Sequence, residues 1–389
     1  MELSHRIRHL TTDSDGGWGI YFRVREMIDS GQDVINLTIG QHDIPTPNII
    51  LDAMNTAAKD GNTGYAAIPG VPALRERVAR RLTERTGIET SYDNVLITAG
   101  GQAALFAVHH AVCDEGDTAL FVDPYYPTYP GTIRAVGAVA QPIITRSRDA
   151  FRPRREELET NAIGATSLLI NSPNNPTGTV YDSSTLMMIS EVAKAHDLWL
   201  ISDEVYDTQI WRGHHLSPRS LPDMRERTLV IGSMSKSHAM TGFRCGWVIG
   251  PKEAISRMIN LTTHTTYGVP GFVQLAAAFA LDQGSTLERE IAAPFDRRRQ
   301  LAWDILNAQQ TITAIPSDGA MYLMLDIRAT QLSGNEFAQR LLDTHHIAVM
   351  PGESFGFAAA GHVRVAMTVE DERFGAALHT LCEFASSFT

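Results

Sequence analysis

Short apolar runs at 95–98, 119–122, 167–170, 198–202, 228–231 and 247–249 alternate with helix-length segments, among them 72–86, 102–112 and 183–196. Several of the runs lack polar alternation, so they read as strands buried on both faces. Strand, helix, strand in succession is the pattern of an open, mostly parallel sheet flanked by helices, an α/β fold. In such sheets ligands bind outside the carboxyl ends of the strands. The unusual polar residues fall there. Gly100-Gly101, Asp123-Pro124, Asn174-Asn175, Asp203-Glu204 and the segment 233–236 each follow a strand or lie within a few residues of one.

The chain changes character toward its end. A long helical stretch runs from about 270 through 299 and beyond. A glycine-containing strand candidate follows at 319–326, then a helix near 334–344, strands near 347–350 and 362–367, and a closing helix. This mixture suggests a smaller α+β domain, and 389 residues suit two domains. The expected division is an N-terminal arm and part of the small domain over 1–45, a large domain over 46–275 and a C-terminal small domain over 276–389.

Composition narrows the partners. The net charge is −11 and the basic residues are scattered, which argues against nucleic acid or an anionic membrane. No uncharged apolar run approaches the ~18 residues needed to span a bilayer. The N-terminal residues lack the apolar core of a signal peptide. Three cysteines, Cys113, Cys245 and Cys382, form no C-x-x-C and fit a reducing cytoplasm. The histidine pairs 109–110, 214–215 and 345–346 share no metal-like spacing with cysteine or carboxylate, so no metal is expected.

One lysine stands out. Only four occur, and Lys236 follows a buried strand in S-M-S-K-S-H-A-M-T-G-F-R. A lysine there is unfavourable unless neutralised or bonded. A Schiff base with an aldehyde would neutralise it. Its flanking serines and Arg244, eight residues on, are donors suited to a phosphate. An aldehyde joined to a phosphate describes pyridoxal phosphate.

Three motifs then agree. N-S-P-N-N-P-T-G at 171–178, I-S-D-E-V-Y at 201–206 and S-M-S-K with G-F-R-C-G-W after it stand in one order along the chain. With them the sequence resembles the fold-type I pyridoxal-phosphate aminotransferases of class I/II, from about residue 35 to 364. The resemblance implies a large domain with a mostly parallel seven-stranded sheet, a smaller α+β domain and a homodimer. It implies amino acids and 2-oxo acids as substrates, exchanged by a ping-pong mechanism.

It also implies roles, residue by residue. Lys236 would hold the cofactor as an internal aldimine and afterwards move the proton at Cα. Asp203 would face the pyridine nitrogen and keep it protonated; Tyr206 and Asn175 would bond the phenolic oxygen. Backbone N–H groups of Gly101 and Gln102, at the start of a helix, would meet the phosphate together with Ser233, Ser235 and Arg244. Tyr65 would reach the phosphate of the neighbouring subunit. Tyr126 would stack on the ring, while Tyr125 and Tyr129 read equally well as core or interface tyrosines. Arg364 would clamp the substrate carboxylate with its two-pronged guanidinium. Gly40 would let the backbone come close to substrate.

The donor is less marked. Gln102 stands where aspartate-type members carry a lysine, and Gly16-Gly17-Trp18 replaces their small hydroxylated residues. Trp18, with Asp13 and Asp15 nearby, would suit a cationic or apolar side chain. The segments around 197–206, 235–244 and 341–356 are similar to arginine–pyruvate transaminase relatives, with a broad-range enzyme as the alternative. Two rivals remain: a C–S β-lyase on the same scaffold, and a ligand sensor on that fold. The sensor would need a basic helix-turn-helix, for which the acidic charge gives no support.

Overall fold

A computed structural model of the protein describes residues 1–11 and 18–389. Its first strand, β1 (Ile35–Asn36), lies apart from the central sheet. The seven that follow are β2 (Val95–Thr98), β3 (Thr118–Asp123), β4 (Val139–Ile144), β5 (Ala165–Asn171), β6 (Trp199–Asp203), β7 (Thr228–Ser233) and β8 (Gly246–Ile249). Among the described residues they form one sheet in the order β2-β8-β7-β6-β5-β3-β4. Only β8 runs antiparallel to its neighbours β2 and β7. All the other strands therefore send their carboxyl ends to one edge, and the amino end of β8 arrives at that same edge.

The apolar runs become central strands because both faces are covered. Val95, Leu96 and Ile97 are fully buried, as are Leu200, Ile201, Leu229 and Ile231. The sequence reading missed β4. It is the outermost strand, its residues are largely exposed or half-buried, and Pro142 within it lacks a ladder donor. The flanking helices stop where their sequences say they should. Gly87, left-handed at φ 71°, ends the helix Pro72–Thr86. Asp182 caps the helix Ser183–Ala195 by accepting from the Thr185 amide at 2.8 Å. The helical stretch expected from 270 onward breaks in two, Gly271–Asp282 and Gly284–Asn307, because Gly284 takes φ 67°.

The remaining strands are β9 (Thr313–Ala314), β10 (Tyr322–Asp326), β11 (Ile347–Ala348), β12 (Met350–Pro351) and β13 (His362–Ala366). Four of these make an antiparallel sheet in the order β12-β13-β10-β9. In it Tyr322 opposes Ala366 and Met324 opposes Arg364. The short β1 pairs in parallel with β11. The N-terminal segment, weakly patterned in sequence, contains an amphipathic helix, Gly19–Asp29. Its Ile20 and Val24, with Val34 and Leu37, join one apolar cluster with residues from the last hundred of the chain, such as Phe337, Val363 and Phe374.

One buried ion network fastens the segment after β1. Arg298, on the helix Gly284–Asn307, is 3% exposed. It pairs with Asp43 at 2.7 Å and Asp371 at 2.8 Å, and donates to the Met367 carbonyl at 3.0 Å. Removing the guanidinium strands the Asp43 carboxylate and the Met367 carbonyl, while Asp371 keeps its pair with Arg297 at 3.0 Å. Because Asp43 and Asp371 keep some exposure to water, Arg298→Ala is expected to destabilise by roughly 2–4 kcal/mol rather than more. A urea midpoint shift that, multiplied by an unchanged slope, amounts to less than about 1 kcal/mol would contradict this.

Candidate active site

The carboxyl edge of the sheet opens into a cavity of about 260 Å³. Its lining takes in Lys236, Asp203, Tyr206, Asn175, Arg364, Tyr126, Ser233, Ser235, Arg244, Gly101, Gln102, Gly40 and Trp18. Topology explains the convergence. Asp203 and Ser233 end neighbouring parallel strands, and Asn171 ends the next. Arg244 precedes β8, whose Gly246 lies opposite both Thr98 and Ser233. Residues 145 positions apart thus meet, and Arg244 donates to the carbonyl of Ala99 at 3.3 Å. A Cβ on Gly100 would collide with that guanidinium, so the turn into the helix Gly101–Val112 needs glycine. The first amides of that helix have no intrahelical acceptor and carry the positive end of its dipole.

Asp203 is buried and held at both oxygens. Tyr129 donates to Oδ2 at 2.7 Å and the Val205 amide donates to Oδ1 at 3.3 Å. Burial pushes its carboxyl up to about 6 against these two bonds. Lys236 extends from a single turn, Met234–Ser237, and donates from Nζ to the Gly40 carbonyl. Burial lowers its amine to about 8, helped by the positive fields of Arg364 and Arg244. His42, buried beside it, is lowered to about 4 by burial and by Lys236.

Arg364 is 2% exposed. It donates from Nη1 to Asn175 Oδ1 at 2.8 Å and from Nη2 to the carbonyl of Thr38. Its Cζ lies 4.4 Å from the ring centroid of Tyr322 and 4.5 Å from that of Phe355. Its Nε is buried with no protein partner. A buried guanidinium with an unused N–H is a receptor for an anion.

Tyr65 is expected to serve the neighbouring subunit and stands apart from this chain's own cavity. Tyr65 is 93% exposed and stacks edge-on with Tyr267 at 5.2 Å, outside the cavity. Gln102 lines the rim, but its side chain is bonded to Thr132 at 3.0 Å and Thr128 at 2.9 Å. Asp13, Asp15, Gly16 and Gly17 lie outside the described residues. Sequence alone does not decide the place of Tyr129 and marks no role for Tyr322, Phe355 or Thr38. Tyr322 carried one signal: a phenol inside the aliphatic run of β10 needs a polar partner when buried.

A larger cavity, about 440 Å³, lies elsewhere against the sheet. Four of its charges already satisfy one another. Arg81 pairs with Glu288 and with Asp207 at 3.3 Å, and Arg85 pairs with Asp207 and with Glu288 at 3.1 Å. The smaller cavity is the better candidate for the reactive site, since its perturbed lysine and carboxylate are not paired with each other. Among the described residues no group of three or more His, Cys, Asp and Glu could hold a metal, and no helix is long and apolar enough to cross a membrane. The three cysteines are free and buried.

The donor set suits pyridoxal phosphate. It offers an amine for the aldehyde, a buried carboxylate for the ring nitrogen, and Ser235, an arginine and helix amides for the phosphate; the Ser233 hydroxyl is turned to the Cys245 carbonyl at 3.3 Å.

Comparison with known proteins agrees. The aminotransferase class I and II model matches residues 32–381. The chain is 38% identical over 373 residues to arginine–pyruvate transaminase of Pseudomonas aeruginosa, covering 96% of this chain and 95% of that one. It is 34% identical over 357 residues to aspartate/prephenate aminotransferase of Thermus thermophilus, covering 91% of each. Aspartate aminotransferase of Thermus thermophilus, solved with maleate, superposes with a TM-score of 0.92 at 31% identity, covering 99% of this chain and 100% of that one. By sequence, fold and the chemistry of its cavity, the chain belongs to the aminotransferase class I and II family and is a pyridoxal-phosphate-dependent transaminase.

Proposed function

We propose that the protein moves the amino group of a basic L-amino acid, or of a broad range of them, to a 2-oxo acid by a ping-pong mechanism. The observation that carries the reading is the placement of Lys236, Asp203 and Arg364 around one cavity. When bound, pyridoxal phosphate supplies an aldehyde that joins the substrate nitrogen and a ring that takes up the electron pair left at Cα. The residues supply the rest. Lys236 Nζ would hold the aldehyde and, as a free amine, would carry the proton away from Cα. Asp203 holds a proton on the ring nitrogen, steadied by Tyr129. Asn175 and Tyr206 bond the phenolic oxygen, and Tyr126 stacks on the ring. Ser235, Arg244 and the amides of Gly101 and Gln102 hold the phosphate. Arg364 takes the substrate carboxylate through its unused N–H groups. Donor leaves as a 2-oxo acid before acceptor enters.

The active unit in this reading is a homodimer in the cytoplasm, with Tyr65 completing the phosphate site of the partner. The exposure of Tyr65 and Tyr267, two neighbouring aromatics at 93% and 51%, supports such an interface. The large and small domains divide near residues 45 and 275. Trp18 at the cavity wall and the engaged side chain of Gln102 support a donor other than a dicarboxylic one. The likeness to an arginine–pyruvate transaminase points the same way.

The test is the visible absorption of the holoprotein with single amino acids and no acceptor. Arginine and alanine are expected to bleach the band within one turnover and aspartate to do so poorly. Faster bleaching by aspartate than by arginine would overturn the donor assignment. Pyruvate and ammonia released from a cysteine conjugate without acceptor would overturn transfer in favour of elimination. Lys236→Ala is expected to slow the half-reaction by about 10²–10⁴-fold.

The lysine also sets a pH dependence. Its lowered value means that the neutral, reactive amine is present from about pH 8 upward instead of from about 10.5. Capture of pyridoxal phosphate by the apoprotein is therefore expected to accelerate with pH and level off above about 8. A rate still climbing at pH 10 would show that the folded site does not depress the amine.

A further inference from the structure

Tyr322 lies in the cavity wall, 2% exposed, and has no role in the reading above. Three observations converge on it. Its hydroxyl is 2.9 Å from Tyr206 Oη and 3.5 Å from Asn175 Nδ2. Its ring lies under the Arg364 guanidinium, with Cζ 4.4 Å from the centroid. Across the cavity a Cβ on Gly40 would run into the Tyr322 hydroxyl. The glycine is thus required by the tyrosine as well as by any ligand.

The direction of the protons follows from what each group can do. A guanidinium only donates, so the amide oxygen of Asn175 must face Arg364. That turns the Asn175 NH₂ toward Tyr322, and an NH₂ also only donates. Tyr322 Oη therefore accepts from Asn175 and, where Tyr206 gives its single proton to the phenolic oxygen of the cofactor, the 2.9 Å bond between the two hydroxyls has Tyr322 as its donor. Tyr206 has then accepted one proton and keeps its own for a group inside the cavity. The chain of donation runs one way, from Arg364 through Asn175 and Tyr322 to Tyr206, and successive bonds strengthen one another.

We propose that Tyr322 is a positioning residue with two separable tasks: its ring holds the carboxylate-binding guanidinium of Arg364, and its hydroxyl aims the Tyr206 proton at the phenolic oxygen of the cofactor. The proposal rests on the roles assigned above to Arg364, Asn175 and Tyr206. The aromatic face favours the cation within the dry wall of the cavity. The hydroxyl makes Tyr206 a stronger and fixed donor, which stabilises negative charge on the oxygen it meets. Tyr126 and Arg364 also bear on Tyr206, and Tyr322→Phe keeps both of them and the ring under Arg364.

Two substitutions separate the tasks in the holoprotein. One readout is the pH midpoint of the cofactor's visible band; the other is the Kd for propionate, an unreactive carboxylate, from its effect on that band. Tyr322→Phe keeps the ring and removes the hydroxyl. It is expected to raise the pH midpoint by about 0.5 to 1, the worth of one net hydrogen bond, and to leave the propionate Kd within about twofold, since the cation–π face stays. Tyr322→Leu removes both and is expected to weaken propionate by about 3- to 30-fold as well. Tyr322→Met takes its place if the leucine variant is not folded by circular dichroism. An unmoved midpoint in Tyr322→Phe overturns the hydroxyl's task. A propionate Kd in the leucine or methionine variant equal to that of Tyr322→Phe overturns the ring's task. Arg364→Lys is the control for the underlying reading. If it binds propionate as the unaltered protein does, the carboxylate assignment of Arg364 fails, whatever Tyr322 does.

Discussion

A cation buried at 2% exposure is the interaction on which the site depends. Arg364 cannot lose its proton, so the fold must surround it with acceptors and aromatic faces. These come from distant parts of the chain: Thr38 after β1, Asn175 after β5, Tyr322 on β10, and Phe355 between β12 and β13. The antiparallel pairing of β10 with β13 brings ring and guanidinium together. Each contact is weak next to the penalty of stranding the charge. Together they bind the N-terminal segment, the central sheet and the C-terminal sheet to one point. That point is also where the unused Nε–H remains.

Burial acts in opposite senses on the two titrating groups of the cavity, yet to one end. It lowers Lys236 to about 8 and raises Asp203 to about 6, so both move toward neutrality. The two do not pair with each other; Lys236 bonds a backbone carbonyl and Asp203 bonds Tyr129 and an amide. A direct lysine–carboxylate pair would have restored both to their ordinary values and quenched the amine. Keeping them on separate strand ends leaves each poised for a ligand that carries both an electrophile and a base.

Much of this was legible in the sequence because it sits where sheet topology makes it legible. Asp203, Ser233 and Asn175 stand at or just beyond strand ends, and buried strands announce themselves as apolar runs. Arg244 was found by its spacing from Lys236, and the reversal of β8 explains why that spacing works. What escaped has equally physical causes. β4 is an exposed edge strand with a proline, so it lacks both the apolar run and the alternation. The break at Gly284 is one backbone conformation inside an otherwise continuous helical pattern. Tyr322 and Phe355 look like core aromatics because they are core aromatics; only their neighbours across β13 make them part of the site. Tyr129 is one of three tyrosines within five residues, and nothing local says which one meets Asp203.

The charge of the cavity closes the argument about what it holds. Among the described residues that line it, Lys236, Arg244 and Arg364 are basic and Asp203 alone is acidic. Three cations against one anion is an unstable arrangement in a partly dry space, since like charges raise one another's energy. A phosphate brings about −1.5 to −2 at neutral pH, a substrate carboxylate about −1 and a protonated ring nitrogen about +1, a net charge of about −1.5 to −2 that offsets the excess. The same arithmetic bears on the donor. A second carboxylate on the substrate side chain would find every described cation of the cavity already engaged. A neutral or positively charged side chain meets no such lack.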